Sequence, residues 1–385
     1  MDSGVPWQMK TWDVIVVGAG PAGCAAAYDL AAAGAQVLLL DKAQFPRPKL
    51  CAGGVTIKAL NRLRYSIAPV VQETSRSIGV GLGYSRRVAF STNAPVCALV
   101  VRAEFDAFCF EKTLAKGAQF LQIGGIQAVK EGADDVLVTL SNGSTHHTRY
   151  LLAADGAHSP LRKLLGADKP HMAVGLEALV PRQLCKKDEI FRFDFGVIGQ
   201  GYAWVFPKRD HFNVGLYTRD ADRFPLEKSA LREYTRFSLG TETLEDLRGF
   251  PIATGAGLRV PNAERCFLIG DAGGYAEQLL GEGIHNAIAS GQNAASALLA
   301  SKGAPASHAF FEAQGSLIRD ARRCTLAANV FYGMLPVSHF LLQAPPLREA
   351  LMQGFAGGRT LSQCVKALLK FQPGCPPCQT NTPLL

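Results

Sequence analysis

The 385-residue chain lacks any run of about 18 uninterrupted apolar residues, the length a spanning helix requires. It also lacks the layout of a secretory signal, because its first apolar run already leads into a glycine-rich turn. Lysine and arginine form no long tract. The formal net charge of +8 is scattered, and pairs such as Arg86-Arg87, Lys186-Lys187 and Arg322-Arg323 read as solvated faces, so no nucleic-acid partner is expected. There is no internal repeat and no long disordered linker. Cys375-Pro-Pro-Cys378 lies in a Pro-rich tail without a second pair near it, and one pair cannot complete a tetrahedral zinc site, so no metal is expected. Ten cysteines without an export signal point to a reducing, cytoplasmic setting, with thiols such as Cys24 and Cys109 packed in the core. The positive sign would suit peripheral contact with the inner face of an anionic membrane, but does not demand it.

What is present is an ordinary globular balance, 48% apolar and 19% charged, in a chain long enough for two or three domains. Its most informative stretch is Asp13-Val-Ile-Val-Val-Gly18-Ala-Gly20-Pro21-Ala22-Gly23, followed by Asp41-Lys42 at the end of a second apolar run. The pattern predicts a buried strand at 14–17, a helix at 24–33 and a strand at 37–40. Gly18 permits the tight turn, Gly20 lets a pyrophosphate approach the backbone, and Gly23 lets helix and strand pack closely. The helix start offers amide donors and a positive dipole end to phosphates, and Asp41 stands where a carboxylate meets ribose hydroxyls. An adenine dinucleotide is the expected ligand.

Further on, the segment Phe45 to Gly54 is irregular and leads into a predicted helix at 56–63. Arg102 opens a helix running to about Lys116, and strands are expected at 119–130, 136–140 and 149–154, with Asn142-Gly143 as a hairpin turn. Segments at 173–180, 189–195, 202–206 and 212–217 alternate without a helical interruption and predict an antiparallel sheet. A helix at 226–237, a short buried strand at 265–269, an Ala-rich helix at 283–301 and mostly helical chain to about Leu369 complete the pattern.

Three further motifs carry a family resemblance. Arg102-Ala-Glu-Phe105-Asp106 resembles the Arg-x-x-Phe-Asp helix start of flavin-dependent hydroxylase-fold proteins. Ala153-Ala154-Asp155-Gly156, continuing to Arg162, resembles their Asp-Gly motif. Gly270-Asp271-Ala272, with Gly281-Glu282-Gly283-Ile284, resembles their Gly-Asp motif and flavin-contacting helix. The resemblance implies FAD. On that reading Asp271 accepts bonds from ribityl hydroxyls, and the backbone at Gly281 and Gly283 lies against the isoalloxazine. The helix that starts there, at Gly283, aims its positive end at the ring. Arg102 presents its guanidinium to the cofactor, and Asp155 either places the cofactor or caps its own turn.

Two features narrow the resemblance to the geranylgeranyl reductase family: Lys49-Leu-Cys51-Ala52-Gly53-Gly54 and Tyr202-Ala-Trp204-Val-Phe206-Pro207. The chain departs from that family's pattern in having Gly199 and Gln278 where proline is usual. The fold implied is α/β: a Rossmann-type FAD-binding domain in three pieces (10–75, 100–170, 256–302). An inserted antiparallel β-sheet substrate domain (76–99, 171–255), a C-terminal helical region (303–370) and the tail (371–385) complete it. The activity implied is reduction of carbon–carbon double bonds in a prenyl lipid by hydride transfer from flavin N5. Cys51 or Tyr202 would donate the proton, and Tyr202, Trp204 and Phe206 would line one strand face as an aromatic wall, unless Cys51 merely packs in its turn and the rings merely fill a core. With no second glycine-rich unit for nicotinamide, electrons would come from transient NAD(P)H or a ferredoxin-like donor. Two alternatives stand: an FAD-dependent monooxygenase or tailoring enzyme, and a flavin- or prenyl-lipid-binding protein without turnover. The halogenase pattern Trp-x-Trp-x-Ile-Pro is not matched.

Overall fold

The apolar run Val14–Val17 is buried on both faces, as a central parallel strand must be. In a computed structural model, which describes residues 11–255 and 257–369, the strand Thr11–Val17 lies parallel between Val37–Asp41 and Thr145–Ala153. Gln119–Gln122 and Cys266–Leu268 add parallel strands, and Val136–Leu140 and Ile126–Glu131 add antiparallel ones to make seven. The helices Pro21–Ala32, Arg102–Ala115 and Ile284–Ser301 bury their apolar residues against this sheet. Glycine allows the closest of these contacts: a Cβ on Gly291 would stand 2.2 Å from the Ala22 carbonyl oxygen of the first helix.

A second seven-stranded sheet runs in the order Glu245–Thr254, His171–Pro181, His211–Thr218, Gly201–Pro207, Arg192–Phe195, Ser77–Leu82, Ser85–Ser91. Its pairings are antiparallel except one, a correction to the expected sheet: Arg192–Phe195 and Ser77–Leu82 run parallel. The chain reaches the later strand only after crossing the first sheet, so no hairpin dictates its direction. Period-two alternation holds along Gly201–Pro207. Tyr202, Trp204 and Phe206 share one apolar cluster, whereas Ala203 and Val205 face another, with Leu231 and Tyr234.

The helix expected at 56–63 is only Ile57–Leu60, because Gly54–Thr56 is taken up as a strand against Cys97–Val100, which also pairs with Val71–Ser75. Among the described residues four helices follow the Ile284–Ser301 helix, at Ser307–Gly333, Leu335–Gln343, Pro345–Ala356 and Leu361–Leu369. Cys24 and Cys109 are buried and free, while Cys375 and Cys378 lie outside the described residues.

Candidate active site

A cavity of about 440 Å³ opens where the carboxyl ends of the parallel strands meet the starts of two helices. Gly18, Gly20, Pro21 and Ala22 form one wall, and Gly281, Gly283 and Ile284 another. Both helices begin at it with unused amides, since their first intrahelical bonds are Cys24 N–H to Gly20 and Ala287 N–H to Gly283. Gly18 must be glycine: φ is +106°, and a Cβ there would lie 2.2 Å from the Ala154 carbonyl oxygen. Gly23 does not line the cavity; a Cβ on it would meet the Gly18 carbonyl oxygen at 1.8 Å, so its part is packing.

The carboxylates differ in what they already hold. Asp41 lines the cavity beside Lys42 and accepts Ala19 N–H at 2.6 Å and Ala43 N–H at 2.9 Å, which fixes the glycine turn. Asp155 accepts the Ser159 hydroxyl at 2.6 Å and Leu161 N–H at 3.0 Å; one oxygen holds the N-cap serine of the short helix Pro160–Leu164 and the other takes one of its first amides. Burial raises its pKa and these bonds oppose the rise. Asp271 lines the cavity, and its carboxylate accepts no hydrogen bond from any described residue. Burial pushes its pKa up, with Lys49 and Arg102 pulling the other way. Gly270 lies behind it, donating its N–H to Ser290.

Arg102 reaches the cavity but is not free. Its Nε and one terminal nitrogen grip Asp106 at 2.9 and 3.0 Å. Burial works against its charge, yet Asp106 and Cys51 outweigh that and the pKa moves upward. Arg47, which the sequence reading missed, also pairs with Asp106 at 3.3 Å and joins Lys49 in the wall. Arg47 lies between Pro46 and Pro48, just before the motif that begins at Lys49, and a basic residue between prolines beside a dinucleotide unit was the available signal.

Cys51 lines the cavity near Arg102, whereas Ala52 and Gly53 stand behind it. The loop is fixed from beneath by groups that the motifs did not reveal. Glu177 accepts Cys51 N–H at 2.9 Å and Asn213 at 3.4 Å, and Lys208 donates to the Ala52 carbonyl at 2.8 Å. Both ionisable groups are buried; burial raises the Glu177 pKa to about 7 and lowers that of Lys208 to about 8. Asn213 also accepts the Trp204 indole N–H at 2.7 Å.

Tyr202 and Trp204, expected as catalytic, do not line the cavity. The Tyr202 hydroxyl donates to the Leu280 carbonyl, and its ring packs with Phe193, Phe195 and Tyr217. Burial pushes its phenol well above the ordinary value. The apolar side of the cavity is instead Phe250, Pro251 and Ile252, from a strand whose pairing alone brings it there. Glu277 ties the Gly281 turn, accepting the N–H groups of Leu279, Leu280 and Glu282 at 2.6–3.0 Å. Glu282 turns away to Lys58 at 2.6 Å, leaving bare backbone toward the cavity.

These features fit FAD: a glycine cradle with unused amides for the pyrophosphate, cations beside it, and an unpartnered carboxylate for a polyol. Residues 11–187 match the FAD binding domain family. An uncharacterized protein of Methanosarcina barkeri is 32% identical over 88% of this chain and 88% of its own. The menaquinone reductase of Mycobacterium tuberculosis is 30% identical over 74% of this chain and 76% of its own. A digeranylgeranylglycerophospholipid reductase of Methanococcus vannielii is 27% identical over 72% and 74%. Among solved structures, a geranylgeranyl bacteriochlorophyll reductase-like protein of Thermoplasma acidophilum superposes with a TM-score of 0.75 at 20% identity, covering 94% of this chain and 99% of that one. A flavin-dependent brominase shares the fold at TM-score 0.70 and 17% identity, over 94% and 99%. With the cradle, the motifs and these relatives together, the chain belongs to the geranylgeranyl reductase family of FAD-dependent oxidoreductases.

Proposed function

We propose that the protein reduces isolated carbon–carbon double bonds in a prenyl lipid or prenylated tail. The observation that carries this reading is Cys51, a thiol in the wall of a cavity whose other side is Phe250, Pro251 and Ile252. A double bond held between them would meet a proton source on one side and apolar surface around the rest of its chain. The name of the Methanococcus vannielii relative, a reductase of a lipid built from isoprenoid chains, supports the same substrate class.

Bound FAD supplies the two-electron hydride chemistry, and an external NAD(P)H or ferredoxin-like donor restores the electrons. The chain's residues do the rest. The amide at Ala22 and the cations Arg47 and Lys49 hold the pyrophosphate; Asp41 and Asp271 accept from ribose and ribityl hydroxyls. The helix start at Ile284 stabilises negative charge on the reduced ring. Cys51 gives its proton to the carbon opposite the one receiving hydride, so the bond gains two hydrogens and the thiolate is re-protonated from solvent. Glu177 holds the Cys51 backbone in place.

The test is anaerobic: enzyme reduced with dithionite is mixed with prenyl lipids and the products are weighed by mass spectrometry. A gain of two hydrogens per bond is expected, slowed about 100-fold in Cys51→Ser and little changed in Tyr202→Phe. Unchanged lipids together with oxygen insertion into another substrate in air would replace this reading with a monooxygenase.

A further inference from the structure

The long helix Ser307–Gly333 and the helix Leu335–Gln343 meet at a bend of 105°. Among the described residues no single helix is long and apolar enough to cross a membrane. The two legs nonetheless expose large apolar side chains in register. Leu326 and Val330 on the first leg and Met334 at the break recur every four residues, at 66, 64 and 55% exposure. Val337, Phe340 and Leu341 follow on the second, with Phe340 at 73%. Isolated exposed leucines are ordinary, but six such side chains on both sides of one bend are not.

Charge says what covers them. Between Asp320 and Glu349 the chain carries no carboxylate, only Arg322, Arg323 and Arg348. Arg323 and Arg348 are loosely paired with those bracketing acids at 3.6 and 3.7 Å, and Arg322 makes no described ion pair. An apolar ridge rimmed by arginine and cleared of acid matches the boundary between acyl chains and anionic headgroups. We propose that this bend is the protein's seat on an anionic bilayer.

The inner face of the same bend leads inward. Phe331 packs on Phe195 at 4.8 Å, and the Tyr332 hydroxyl donates to the Leu279 carbonyl at 2.6 Å, two residues before Gly281 of the cavity wall. Leu335 and Leu342 belong to the same apolar cluster as Phe250 and Ile252. A substrate drawn from the bilayer would therefore enter close to the cavity; that corollary rests on the prenyl-lipid reading, whereas the seat itself does not.

The experiment is flotation of the FAD-loaded full chain with vesicles of phosphatidylcholine alone or with about 30 mol% phosphatidylglycerol, no substrate being present. Flotation with the anionic vesicles is expected, weakened by salt. It should drop about ten-fold or more in the double variant Leu326→Asp, Phe340→Asp and in Arg322→Glu, Arg323→Glu. Flavin content and melting curves verify that the variants fold. The proposal is overturned if the wild type stays in solution or the aspartate variant floats equally well. It is equally overturned if that variant merely converts a dimer to a monomer, or if only a chain cut after Leu369 floats, since a second copy or the chain's own tail would then cover the ridge. A positive result with no lipid reduction would leave the seat standing and remove the substrate assignment.

Discussion

The two sides of the cavity are built differently. The side around Gly18, Asp155 and Asp271 is mostly backbone: glycine turns, helix starts and carboxylates that brace them. The side behind Cys51 is side chains from several strands, with Glu177, Lys208 and Asn213 buried beneath the loop and Tyr202 and Trp204 packed further back. Backbone chemistry needs particular residues at fixed local spacing. Side-chain packing needs only compatible shapes, supplied from anywhere in the sequence. The first kind of wall binds a common cofactor; the second is free to vary with the substrate.

The sharpest way to break that contrast is Gly18→Val. The positive φ and the 2.2 Å approach to Ala154 leave no room, so the expected product is colourless protein with little soluble fold, read from flavin absorbance and gel filtration. A yellow, stable variant would show that the cradle tolerates side chains after all.

The opposite wall answers to pH. The Glu177 carboxyl, ordinarily near 4.5, is pushed by burial to about 7 in the fold, so the folded chain keeps a proton that the unfolded chain gives up. Stability from this group therefore falls as pH rises from about 4.5 to about 7, by roughly 3 kcal/mol. Glu177→Gln should flatten that decline in melting temperature. An unchanged pH profile would mean that Glu177 is ionised and that the buried network is charged.

The smallest effect is the most selective. The Asp271 carboxylate accepts no described hydrogen bond, so Asp271→Asn should leave the melting temperature of flavin-free protein unchanged or raised while weakening FAD binding about 10- to 100-fold by titration. Equal loss in both measurements would make Asp271 a structural residue like Asp155.

Legibility in the sequence followed the same division. The Gly18 turn, the acid at Asp41 and the Gly-Asp motif could be read because each is a local answer to a local constraint. Asp155 was half read: its motif was visible, but its two bonds to Ser159 and Leu161 appear only once the turn is built. Tyr202 and Trp204 were placed on the correct face of their strand by alternation, and that face turned out to be packed away from the cavity. Phe250 and Glu177 had no local signal at all.

By itself the sequence determined the dinucleotide unit, the cofactor class and the faces of individual strands, since φ limits, period-two alternation and helix starts act within a few residues. The tertiary structure alone decided which strand face borders the cavity, that Glu177 and Lys208 lie beneath Cys51, and that the bend at Met334 leaves its ridge uncovered. Those outcomes depend on how distant segments stack, and burial energy rewards the whole arrangement without marking any single residue in advance.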